Sequence, residues 1–146
     1  MKKFILTALL GLSACETPQY GILLKPVPSQ QAQTVIANDT FSELQSLYPP
    51  GPTKIAFRQA TPDLIGQQLV TKLRRAGYAV AEFDNTAAAP AGFIPLNYTL
   101  DSMSLYNWRL KLTLGQTILS RAYQEVQMPS SLLSCVPAGS WTLENE

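Results

Sequence analysis

"WRLKLTLGQTILSRAYQ", residues 108–124, decides how this chain is read. Trp108, Leu110, Leu112 and Leu114 alternate with Arg109, Lys111 and Thr113, the period of two that marks a half-buried strand with one wet face. Gly115-Gln116 can close a two-residue hairpin with glycine first. "TILSRAYQEVQ", 117–127, then returns as the partner strand. On the upstream side "FIPLNYTL", 93–100, alternates Ile94, Leu96, Tyr98 and Leu100, which predicts one more strand. Downstream, "PSSLLSCVPAG", 129–139, reads as an irregular loop, and "SWTLE", 140–144, as a short last strand.

Further upstream the period changes. "KIAFR", 54–58, places Ile55 and Phe57 on one face of a strand. "ATPDLIGQQLVTKLRRAG", 60–77, is the strongest helix pattern in the chain. Thr61 suits the cap, Pro62 the first helical position, and Asp63 the positive end of the dipole. Ile65, Leu69, Leu73 and Ala76 make its apolar face, and Gly77 suits the position just past its end. "YAVAEF", 78–83, predicts a second strand, followed by a loop at 84–92. Before all of these, "TFSELQSLY", 40–48, opens with Thr40 and carries Glu43 three residues on, a capping-box pattern for a helix of about two turns. "PPGP", 49–52, ends it.

Strand, helix, strand, then an antiparallel meander predicts an α+β two-layer domain over residues 37–146. One amphipathic helix cannot cover both faces of five or six strands, so the second face is expected to be wet or docked.

The chemistry available to this domain is limited. The chain has no histidine, which removes the commonest general base and metal ligand. No Gly-rich phosphate loop, CxxC or carboxylate cluster appears. No catalytic role, cofactor or metal is expected. Eleven basic and ten acidic residues leave the 146-residue chain near neutrality, so no field draws nucleic acid and none is expected to bind directly. Cys135 has no partner for an internal disulfide if Cys15 is otherwise engaged; it reads as a small semi-buried residue.

The amino-terminal residues carry a different signal. "MKKFILTALLGLSAC" starts with Lys2 and Lys3, continues with nine mostly apolar residues, Phe4 to Leu12, and ends in small residues. A spanning helix needs about 20 apolar residues, so this stretch reads as a secretory signal peptide, 1–14. Leu12-Ser13-Ala14-Cys15 resembles the bacterial lipobox, in which the cysteine thiol is acylated and the signal is cut before it. Each buried CH₂ contributes about 0.8 kcal/mol, so several chains on Cys15 would hold firmly. Glu16, where an aspartate would signal inner-membrane retention, favours the periplasmic side of the outer membrane. Residues 15–36 then read as a lipid-anchored extended tail. Within it the knot Ile22, Leu23, Leu24, with Lys25, Pro26, Val27 and Pro28, is more apolar than a plain linker requires. This segment reads either as a tether between lipid and domain or as a segment that lies extended on a partner and binds by strand addition.

Several fragments, taken together, point to a family. "LYPPGPTKIAF", "TPDLIGQQLVTKLRRAGYAV", "IPLNYTLD", "RLKLTLGQTILSRAYQ" and "PAGSWTLEN" occur in the order in which they resemble the TrbH family of conjugal transfer proteins. "EVQMPSSLLSC" is longer than that pattern. The resemblance implies a non-enzymatic lipoprotein subunit of an outer-membrane type IV secretion (mating-pair-formation) complex. It implies other channel-core subunits as partners and leaves room for a multi-copy ring. The competing reading is a stand-alone periplasmic lipoprotein that binds a small ligand or envelope partner, which requires a deep apolar pocket.

Overall fold

The structure, a computed structural model, describes residues 22–58, 63–83, 88–130 and 132–145. The elements run β1 (Ile22–Leu23), α1 (Gln30–Leu47), β2 (Lys54–Phe57), α2 (Leu64–Arg75), β3 (Ala79–Glu82), β4 (Ile94–Ser104), β5 (Asn107–Leu114), β6 (Thr117–Gln127) and β7 (Leu133–Asn145). Six strands lie side by side in the order β3-β2-β4-β5-β6-β7, and β1 adds to β4. The pairs β2·β3, β2·β4 and β1·β4 are parallel; β4 to β7 form an antiparallel meander. The fold is α+β with two layers, as the alternation of residues 94–124 and the helix pattern of 60–77 predict.

The pleat sorts the sheet into two faces. Register places Leu96, Tyr98 and Leu100 of β4 beside Leu114, Leu112 and Leu110 of β5. These six side chains are all buried, and with Ile55, Phe57, Leu119 and Tyr123 they join one core with Ile36, Leu44, Ile65, Leu69 and Leu73 of the two helices. Both helices therefore lie on this face. The other face carries Arg109 and Lys111, which are exposed.

The helix over 60–77 forms largely as its pattern requires. Ile65, Leu69 and Leu73 are fully buried. Lys72, Arg74 and Arg75 sit in the last turn, where cations complement the dipole. Gly77 follows at φ 93°, the left-handed conformation that glycine adopts without a Cβ penalty. The cap is Asp63, whose Oδ1 accepts from the Gly66 N–H at 2.9 Å, and Thr61 lies outside the described residues. The hairpin at Gly115-Gln116 is also as expected. Leu114 pairs with Thr117 and Gly115 has φ 57°, with no positive φ at Gln116.

Three expectations are corrected. The first helix is not a two-turn element starting at Thr40. It runs for 18 residues from Gln30, capped by Ser29, whose Oγ accepts from the Ala32 N–H. Residues 30–36 are thus helical rather than extended. Thr40 is buried in its middle and donates to the Ile36 carbonyl at 2.7 Å. The buried stripe Ala32, Ile36, Ala37, Thr40, Leu44 has helical spacing, but Gln, Asn and Thr around it mask its periodicity.

Residues 133–139, expected to be loop, belong to the 13-residue strand β7. Pro137 is tolerated there because β7 is the last strand on its side and needs no outward donor. Gly139, at φ 102°, sits where the β6·β7 register shifts between Ser120 and Ala122, a bulge that the flanking strand absorbs.

Finally, Ile22–Leu23 is a strand of the chain's own sheet. β2 is only four residues long and pairs with β4 no further than Leu96. The rest of that β4 edge is left open, and Ile22 and Leu23 take it opposite Thr99 and Leu100.

Candidate functional site

The strongest site candidate in the sequence, Cys15, lies outside the described residues. The segment that follows it, Ile22 to Pro28, can be placed residue by residue. After the two β1 residues, the Leu24 N–H continues the ladder by donating to the Leu100 carbonyl at 2.9 Å. The Trp108 indole N–H donates to the Pro26 carbonyl at 3.2 Å, and the Gln33 side-chain amide to the Pro28 carbonyl at 3.0 Å. Leu23 is half-buried and Pro28 buried, while Leu24, Lys25, Pro26 and Val27 are exposed. One edge of the segment is thus paired with β4 of the same chain. The outward side chains remain open.

Ser29 completes this attachment. Its N–H donates to Glu125 Oε1 at 3.1 Å, and its hydroxyl donates to the same oxygen. Glu125 is 6% exposed. Its carboxylate is thus buried at the amino-terminal end of α1, where the helix dipole favours negative charge. One side chain from the far end of β6 therefore fixes where the lead-in segment stops and α1 starts.

A second polar contact holds α1 lower down. Asp39 receives Arg121 Nη1 at 2.9 and 3.0 Å on its two oxygens and the Tyr123 hydroxyl at 2.7 Å. Arg121 also donates from Nε to the Gly139 carbonyl at 3.0 Å and lies 5.8 Å over the Trp141 ring. The guanidinium thereby links α1, β6 and the β7 bulge. Burial, then the Asp39 carboxylate, push the Tyr123 phenol well above its usual range.

These groups position α1 and hold it to the sheet. Cys135 is buried with a free thiol. Burial, then Glu125 and Asp39, push its pKa up to about 11, so it is protonated at neutral pH and inert as a nucleophile. Among the described residues no three His, Cys, Asp or Glu side chains are grouped to hold a metal ion. No described helix is long and apolar enough to cross a membrane. Among the surface hollows formed by described residues, two, of about 310 and 350 Å³, have linings of mixed polar and apolar character. One follows Gln67, Thr71 and Arg75 of α2; the other lies on the sheet face opposite the helices, around Arg109, Ser120 and Thr142.

Sequence reasoning missed Ser29, Trp108, Glu125 and the Asp39–Arg121–Tyr123 group as positioning residues. One signal was present. The inward phase of β6 is Thr117, Leu119, Arg121, Tyr123, Glu125, and two charges on a core-facing phase require polar partners on the covering layer.

Comparison with known proteins gives one match. Residues 17–145 match the family described as conjugal transfer protein TrbH. No curated protein and no solved structure matches the chain. The matched span takes in the lead-in segment, both helices and the whole sheet, so the chain belongs to the TrbH family of conjugal transfer proteins.

Proposed function

We propose that this protein is a lipid-anchored structural subunit of the conjugative-transfer channel, a type IV secretion complex, held on the periplasmic side of the outer membrane through Cys15. The observation that carries the reading is the junction of two features. A lipobox, Leu12 to Cys15, ends two residues before a family match that covers residues 17–145. The geometry supports it. The first described residue, Ile22, is seven residues past Cys15 and is already built into the sheet. Seven residues reach about 25 Å at most, so an anchor at Cys15 would keep the domain close to the bilayer.

A structural rather than catalytic role is supported by the character of the polar groups. Asp39, Arg121, Tyr123, Ser29 and Glu125 are each used in bonds between elements.

Metabolic labelling with a palmitate analogue tests the anchor. The wild-type chain should incorporate label and float with outer-membrane vesicles. Cys15→Ser should incorporate none and accumulate uncut. Equal labelling of the two chains would end the lipoprotein reading.

A further inference from the structure

Large apolar side chains are exposed mainly at one end of the sheet. β4 ends with Met103, which also borders the hollow beside Arg109, and the turn after it carries Leu105 and Tyr106, with Leu105 75% exposed. The turn between β6 and β7 carries Leu132, 63% exposed, and the lead-in segment carries Leu24 and Val27. Register brings these three segments together. Asn107 pairs with Gln124 and Gln127 with Leu133, so both turns lie at the same end. The Trp108–Pro26 bond and the Leu24–Leu100 bond bring the lead-in segment to that end as well. α1 starts here at Ser29 and runs about 27 Å away, which puts Leu47 at the opposite end.

Charge is distributed just as unevenly. The stretches 103–107 and 128–133 contain no charged residue, and 24–28 contains Lys25 and no carboxylate. Tyr106 has φ 66°, a left-handed conformation that Gly or Asn would adopt more easily. An aromatic ring is kept at a turn tip where the backbone alone would select another residue.

We propose that this end of the domain rests on the bilayer surface, with the Leu105–Tyr106 turn at headgroup depth and Lys25 among anionic headgroups. Apolar tips, one tyrosine, one lysine and no acid make a chemistry suited to the membrane interface. The choice of lipid as occupant rests on the Cys15 anchor: Ile22 lies opposite Thr99, midway along β4, so a tether of at most about 25 Å leaves either end of the sheet within reach of the bilayer, and the apolar, acid-free turns select this one. The lipid then fixes orientation as well as location. It leaves the sheet face opposite the helices and the far end turned away from the membrane for channel subunits.

Depth measurement on the lipidated full chain tests this. The chain is purified from membranes and reconstituted into vesicles of phosphatidylethanolamine with a minority of phosphatidylglycerol. Nitroxide is attached at Leu105→Cys, at Met103→Cys, or at Leu47→Cys as the far-end control. The buried Cys135 thiol does not compete for label at neutral pH. Labels at 105 and 103 should lose collisional access to a water-soluble nickel reagent and gain access to oxygen, while the label at 47 keeps its nickel access. Retained nickel access at 105 and 103 in protein that floats with the vesicles would overturn the proposal while leaving the anchor intact. Failure to float would remove the anchor, and this orientation with it.

Discussion

Replacing Asp39 with alanine should destabilise the domain by about 3 kcal/mol. Two losses combine. The Arg121 guanidinium loses its carboxylate, and a hydrogen bond to a charged group contributes about 1.5–3 kcal/mol. The Tyr123 hydroxyl, on a fully buried residue, loses its 2.7 Å acceptor, and an unsatisfied buried donor costs about 1–3 kcal/mol. The ion pair is not dry: its side chains are 19% and 21% exposed. Solvent therefore screens part of the first loss, and the total falls near the bottom of the range of about 3–5 kcal/mol for breaking a buried pair. The Arg109–Asp101 pair is the internal control. It has the same chemistry at 2.6 Å, but the Arg109 side chain is 53% exposed, so Asp101→Ala should cost less than about 1 kcal/mol. Urea unfolding of a soluble chain beginning at Glu16 measures both, compared at unchanged slope. Losses for Asp39→Ala and Asp101→Ala within about 0.5 kcal/mol of each other would refute the claim that Asp39 ties α1 to the sheet.

Two further outcomes are expected. Leu73→Ala on the fully buried face of α2 should cost about 2–5 kcal/mol in the same assay; a loss below about 0.5 kcal/mol would mean that this face is not core. Alkaline pH should weaken the fold through Cys135. Its folded pKa is raised from 9.0 to about 11, so the native state holds the proton more tightly. Stability is full below pH 9 and declines by at most about 3 kcal/mol as pH rises towards 11. Cys135→Ala should flatten that part of the pH profile; an unchanged profile would remove the thiol as its source.

What was legible in the sequence was whatever repeats with a clear period. Trp108 to Leu114 and Ile94 to Leu100 alternate without a break, and Ile65, Leu69 and Leu73 share a helix face, so the meander, α2 and the layer order follow directly. The first helix was half hidden because its buried stripe is built from Ala32, Ala37 and Thr40 as well as Ile36 and Leu44, a weak hydrophobic contrast. β7 was hidden by Pro137 and Gly139, local breakers that an edge position and a bulge accommodate. The place of the lead-in segment was not legible at all. It depends on β2 ending early and leaving an open edge on β4, and strand lengths are decided by tertiary pairing. Glu125 and Arg121 could have been flagged by phase, but their partners Ser29 and Asp39 lie more than 80 residues away.

The central claim, that this chain is an anchored subunit of a transfer channel, is tested most directly by what comes out of a donor-cell membrane with it. A tag after Glu146 and detergent extraction should recover other channel-core subunits with the wild-type protein, in fixed proportion, and lose them with Cys15→Ser. Wild-type protein that is acylated, folded and recovered alone from cells engaged in transfer would contradict the account.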